Sequence, residues 1–139
     1  MNIVTARHIR ILPLNKADFR SYEDARKFIE NGFHKEGELK PGCMNVSMDY
    51  FYNNTLILFQ YAGKIIGSGL LKYTISTDEP YRRGIFFFEK DTVNVFDEKI
   101  TGSVFRDTVK EFKRFNSVAQ IIDIKYVGPI NRLISERIS

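Results

Sequence analysis

The chain has 139 residues, 43% hydrophobic and 27% charged, with 12 Phe, 7 Tyr and no Trp, which is a globular balance and enough for one core over residues 1–139. Lys and Arg number 21 against 17 Asp and Glu, a net charge of +4 that points to an anionic partner without the density of a histone-like protein. A lone cysteine, Cys43, excludes an internal disulfide or a multi-cysteine zinc site, and no apolar run has the length of a membrane span or a signal peptide, so a soluble cytoplasmic protein is expected.

No repeat, low-complexity tract or linker divides the chain. Ile3 to Leu14 is mixed in pattern, with Ile9 and Ile11 alternating against His8, Arg10 and Leu12, and predicts a short strand ended by Pro13. Ser21, with Asp24 three positions on, opens a helix over residues 22–31 that places Ala25, Phe28 and Ile29 on one face and stops at Gly32. Residues 32–43, with Gly32, Gly37, Pro41 and Gly42, read as loop. A period of two begins at Met44 and runs through Val46, Met48, Tyr50 and Tyr52.

Asn53-Asn54 suits a tight turn, Thr55 to Tyr61 a strand apolar on both faces, and Ala62-Gly63 another turn. Lys64 to Ile75 continues as a long strand carrying Gly67 and Gly69, and Ile85 to Glu89 and Thr92 to Phe96 supply two more. The helical period returns with Phe105, Val109 and Phe112, which predicts a helix over Gly102 to Phe115. Ile121 to Val127 reads as a strand closed by Gly128-Pro129, and Ile130 to Ile138 as a helix with Leu133 and Ile134 inward. The order predicts an α+β fold with a mainly antiparallel sheet. A sheet apolar on both faces is expected to curl into a barrel with flanking helices.

Several chemistries are missing. No P-loop occurs, the glycines of Gly63 to Gly69 lie within a strand rather than between a strand and a helix, and the histidines have no metal-ligand spacing. No cofactor and no metal are expected. His8 and His34, far apart in sequence, are read as surface or hydrogen-bonded structural residues, the alternative being a general base or metal ligand where the fold brings partners to either; Cys43 is read as inert, because nothing local lowers its thiol pKa. Gly67 and Gly69 bare two positions on one strand face, to which either a neighbouring element or a flat ligand could approach; close packing is the preferred reading.

The basic residues cluster. Tyr81 precedes Arg82 and Arg83 in a polar loop, a combination suited to stacking on a base while neutralising phosphate. On the predicted Gly102 to Phe115 helix, Arg106, Lys110 and Lys113 form a cationic stripe that could contact phosphates. A solvated face is the alternative.

The segment Thr55 to Leu71, with Phe59-Gln60-Tyr61 followed by Ile65-Ile66-Gly67, resembles the central hairpin of PUA-like domains, whose branches include EVE, YTH, ASCH and SRA. Gly84 to Phe88 and Val93 to Phe96 look like later strands of the same domain, so the resemblance spans residues 44–100. It implies a small curled barrel, binding of RNA or DNA, and a modified base received in an aromatic-lined pocket. Carried over by position, it assigns that pocket to Phe59, Gln60, Tyr61 and Ser68. The chain departs from EVE domains in lacking a tryptophan in its early helical region.

Two functions are weighed. The first is a non-enzymatic nucleic-acid reader, in which Tyr61 stacks on a flipped or single-stranded base, Gln60 and Ser68 bond its edge, and Arg82, Arg83, Arg106, Lys110 and Lys113 hold phosphates. A separate nuclease or modifying enzyme would be a natural partner. The second is a hydrolase of a modified nucleoside, as in some ASCH members, assembled from Lys64 or Lys72 with Glu89 and Ser68 or Thr74. A protein-interaction module on the same scaffold is a third.

Overall fold

The computed structural model describes residues 6–33, 38–39, 52–76, 84–89 and 91–138. The expected strand from Met44 lies outside the described residues apart from Tyr52, as do His34, Cys43, Tyr81, Arg82 and Arg83.

Strand β1 is His8–Pro13, and Pro13 ends it because a proline cannot extend the ladder of donors. Helix α1, Tyr22–Phe28, starts where the Asp24 N–H donates to Ser21 Oγ at 3.2 Å, and it runs on into a π-helical turn at Ile29–Phe33. The short β2 is Glu38–Leu39, within the stretch expected to be loop. The strand β3, Thr55–Tyr61, and the strand β4, Lys64–Ser76, form a hairpin across Ala62-Gly63. Both turn residues have positive φ, 51° and 78°, the requirement of a two-residue turn that matches strand twist. β5 is Gly84–Phe88, and β6, Asn94–Thr101, extends well past the Phe96 expected to end it.

Thr101 closes β6 and caps α2, Gly102–Thr108, by accepting from the Val104 N–H at 3.3 Å. This helix stops seven residues short of the expected Phe115. The branched pair Thr108-Val109 is a poor helix continuation, and Val109 takes extended dihedrals (φ −112°, ψ 93°). The chain turns, and Phe112 and Phe115 close on Phe105 with ring centroids 4.9 and 6.0 Å away. The apolar spacing that reads as one helical face is thus satisfied by an aromatic cluster at a helix exit.

β7 is only Gln120–Ile122, shorter than the strand expected to reach Val127. Asp123 interrupts it: its Oδ1 accepts from the Lys125 N–H at 2.9 Å and starts a 3₁₀ turn, Ile124–Tyr126, that leads into α3, Val127–Ser135. Gly128-Pro129 therefore lies in the first turn of α3, where a missing proline N–H costs nothing, instead of closing a strand.

The seven strands form one sheet in the order β2-β5-β4-β3-β1-β7, with β6 on β4 beside β5. β1 and β3 are parallel, and every other pairing is antiparallel. Among the described residues nothing joins β2 to β7, so the sheet is open where a closed barrel was expected. Its two apolar faces are covered by separate layers instead. Leu56, Leu58, Ile65 and Leu70 face a cluster with Phe105 of α2, Phe112, and Ile130 and Ile134 of α3. Ile57, Phe59, Tyr61 and Leu71 face a second cluster with Ala25 and Ile29 of the α1 side.

β4 changes partner on one edge, pairing β6 through Lys64 to Ser68 and β5 from Leu71 onward. Leu70, at the junction, is satisfied from both sides. Its N–H donates to Thr92 Oγ1 at 3.1 Å and its carbonyl accepts from the Glu89 N–H at 2.8 Å. Gly67 and Gly69 make the junction possible. A Cβ on Gly67 would lie 2.5 Å from the Asn94 carbonyl oxygen, and one on Gly69 would lie 2.8 Å from Phe88 Cδ1. The bare face meets neighbouring protein, in accord with the packing reading.

Replacing either glycine by alanine overpacks this junction. Gly67→Ala opposes main chain, which has no rotamer to yield, and should cost about 2–3 kcal/mol; Gly69→Ala opposes a ring and should cost about 1–2 kcal/mol. Urea unfolding of the two variants measures both values and their order.

Candidate nucleic-acid interface

The residues expected to share a base pocket sit on the central hairpin but not on one face. Side chains alternate along a strand, and directly paired residues of antiparallel strands share a face. Phe59 and Tyr61 belong to the cluster on the α1 side. Gln60 pairs with Ile65, and Ser68 with Leu58, both of the opposite cluster. All four are buried, Phe59 and Ser68 completely. The four therefore do not line a common pocket. Tyr61 is committed internally, its hydroxyl donating to the Phe19 carbonyl at 2.7 Å across the α1 side of the sheet. Gln60 Oε1 and Ser68 Oγ have no hydrogen-bond partner among the described residues.

The two lysines offered as alternatives in the hydrolase set, Lys64 and Lys72, lie at opposite ends of a stretch of β4 that spans about 26 Å at strand rise. Ser68 between them is fully buried, while Glu89 is held at the Lys72 end, its N–H donating to the Leu70 carbonyl at 2.8 Å. Among the described residues no group of His, Cys, Asp and Glu could hold a metal ion.

The cationic stripe does not form as a helical row, because Lys110 and Lys113 lie beyond the end of α2. Arg106 is still on the helix, and its guanidinium donates to the Lys113 carbonyl at 3.1 Å, holding the returning chain. Lys110, Lys113 and Arg114 are exposed and form no ion pair among the described residues.

Two cavities flank β7, and sequence reasoning singled out neither. The first, of about 340 Å³, lies over the β1–β7 pair and is lined by Arg7, His8, Arg10, Tyr52, Asp123 and isoleucines of β1, β7 and the 3₁₀ turn. The parallel register of β1 with β3 brings this end of β1 beside the Asn53-Asn54 turn, where the Arg7 N–H donates to the Asn54 carbonyl at 2.8 Å. Asn54 takes φ 63°, so the turn delivers Tyr52 next to His8, ring centroids 5.0 Å apart and tilted 45°. Tyr52 is 53% exposed and Ile121, opposite Arg10 in the register, 66%. An accessible aromatic pair thus lines the same cavity as two arginines and one aspartate.

The second cavity, of about 330 Å³, lies between β7 and the chain leaving α2. Val109, Phe112 and Ile122 form its floor, and Lys113, Arg114, Asn116, Gln120 and Glu111 its rim. Glu111 is engaged: Lys125 Nζ lies 2.7 Å from its carboxylate, and that bond and charge hold the Lys125 ammonium above its ordinary pKa. Ile121, Ile122 and Asp123 line both cavities, so β7 is their shared wall.

No family model matches the sequence, and no curated protein matches it. Solved structures share the fold. An ASCH protein from Zymomonas mobilis superposes with a TM-score of 0.54 at 8% identity, over 90% of this chain and 94% of that one. A tyrosine-to-phenylalanine variant of the Zymomonas mobilis ASCH protein gives a TM-score of 0.56 at 11% identity, over 94% of this chain and 99% of that one. The fold is that of the ASCH structures. The PUA-like resemblance read from the central hairpin accordingly holds at the level of fold, and the likeness extends well beyond the segment that carried it. Within this ASCH-like fold no helix among the described residues is long and apolar enough to cross a membrane.

The Tyr61 hydroxyl has a structural task that can be isolated. Tyr61→Phe leaves the Phe19 carbonyl without its donor and should lower stability by about 1–2 kcal/mol in urea unfolding, with no change in the unfolding m-value.

Proposed function

We propose that the chain is a non-enzymatic nucleic-acid-binding module whose interface is centred on the β1–β7 cavity. One observation carries this reading: an exposed aromatic pair, His8 and Tyr52, is flanked by Arg7 and Arg10 in a cavity open to solvent. A base is an aromatic plane attached to an anion. The site offers a plane for the first and cations for the second within one cavity lining. The ASCH-like fold supports the same direction, as PUA-like domains commonly bind RNA or DNA.

In this reading Tyr52 stacks on an unpaired or flipped base, and Ile121 and Ile124 extend the apolar surface under it. Arg7 neutralises phosphate at the rim. Arg10, buried in the lining of the same cavity, adds positive potential beneath the base. Arg82 and Arg83, with Tyr81, are carried into the proposal on their sequence pattern alone as further phosphate contacts, and Lys110 and Lys113 add cationic field. The preference for a modified base is part of the same proposal: a base in a cavity is read on its edge, where modifications lie.

The test is fluorescence anisotropy with short single- and double-stranded DNA and RNA, with and without modified bases, at two salt concentrations. Tyr52→Ala should weaken binding about tenfold, because stacking is worth roughly 1–3 kcal/mol per base. Arg7→Ala should weaken binding and reduce the salt slope by about one unit, since one fewer counterion is released. Both side chains are exposed, so thermal unfolding of the variants should match the parent. Absence of binding to every probe at low salt would remove the nucleic-acid reading.

A further inference from the structure

The second cavity has the parts of a nucleotide site and sits on the other side of a strand only three residues long. We propose that it receives the neighbouring nucleotide of a single strand held in the first cavity, so that the bound strand crosses β7. The proposal rests on the nucleic-acid reading above and names its ligand class, single-stranded rather than duplex.

Gln120 supplies the first argument. Its Nε2 donates to the Arg114 carbonyl at 3.0 Å, which fixes the amide orientation and turns Oε1 into the acceptor. That oxygen is closed off from solvent and has no donor among the described residues, while the side chain lines the cavity, so in the proposal an occupant draws the amide outward to meet it. A buried acceptor without a donor is costly unless something supplies one, and every nucleobase carries an amino or imino N–H on its edge. The floor of Val109, Phe112 and Ile122 is apolar and suits the face of a base.

The rim supplies the second argument. The carbonyls of Lys113 and Arg114 are both held, by Arg106 and Gln120, so the main chain carrying these two cations is fixed. Neither has a carboxylate partner among the described residues, whereas Glu111 on the same rim is already neutralised by Lys125. The cavity thus presents two cations without carboxylate partners at the rim of an apolar floor, with Asp123 on the wall it shares with the first cavity, an arrangement that suits a phosphate and the face of a base.

Geometry supplies the third. Ile121, Ile122 and Asp123 line both cavities, so their occupants would be separated only by β7. A flexible strand can place a base on each side of this wall. A duplex keeps its bases stacked inside and could offer the cavities only its backbone.

Fluorescein-labelled oligo-dT and oligo-rU of about eight nucleotides, and a blunt duplex of similar length, are titrated with the full chain and its variants. The tighter of the two single strands identifies the natural backbone. Arg114→Ala and Gln120→Leu should each lower single-strand affinity roughly fivefold, and only Arg114→Ala should flatten the salt dependence. If Gln120→Leu fails to fold, Arg114→Glu, on an exposed side chain, carries the test and should weaken binding further than alanine. Wild-type affinity in the Arg114 and Gln120 variants, with Tyr52→Ala and Arg7→Ala still weakened, would overturn the second subsite and leave the nucleic-acid reading intact. Duplex binding as tight as single-strand binding would overturn the ligand class. Loss of binding to every probe in the parent chain would remove both.

Discussion

A strand that is apolar on both faces has to be covered on both, and β4 with its partner β3 imposes that condition on the whole molecule. Every residue of β3 is buried. The sheet therefore becomes a middle layer, with the α1 side on one face and α2, α3 and the aromatic exit of α2 on the other. β4 carries the further constraint of serving two partners on one edge. The Gly67 and Gly69 positions let β6 and the Phe88 ring approach, and Thr92 supplies the donor and acceptor that the change of partner leaves over. Without close backbone approach at these glycines, β6 could not lie where it leads directly into α2.

That layering decides where a ligand can go. The centre of the sheet is closed on both faces, which is why Phe59, Gln60, Tyr61 and Ser68 are buried side chains. Accessible concave surface is found instead at the β7 edge, where the strand is short and the sheet ends. There β1 contributes Arg10 and the residue before it Arg7, the turn before β3 contributes Tyr52, and the chain returning from α2 contributes lysine and arginine beyond its last helical turn. The shortness of β7 matters: Asp123 stops it after three residues by capping the 3₁₀ turn, and two cavities then share one thin wall.

The premature end of α2 serves this edge. Had the helix run to Phe115, Lys110 and Lys113 would have projected with Arg106 from one helical stripe. With the chain turned back, Arg106 becomes a brace on the Lys113 carbonyl and Gln120 a brace on the Arg114 carbonyl. The cations lose their regular spacing and stand on a main chain held beside an apolar floor. Local order here comes from side chains clasping main-chain carbonyls rather than from helical hydrogen bonds.

Local chemistry alone determined much of the fold. Pro13, Ser21 with Asp24, Asn53-Asn54 and Ala62-Gly63 act within a few residues of themselves, and each stands where its backbone preference requires. The Phe59 to Gly67 pattern likewise carried the fold resemblance that the superposition bears out. The end of α2, the length of β7 and the place of Gly128-Pro129 were not legible, because apolar spacing at i, i+4 and i+7 is the same whether a helix continues or an aromatic cluster closes at its exit. The barrel was inferred from two apolar faces, a requirement that two helical layers satisfy equally well. Tyr52, Arg7 and Arg10 are far from Ile121, Gln120 and Arg114 in sequence, and only the β1–β3 and β1–β7 registers bring them to one edge. Composition and periodicity set which segments would be buried, since burial follows from each segment's own pattern; the site depended on which strand lies next to which, and that is settled by contacts between residues distant along the chain.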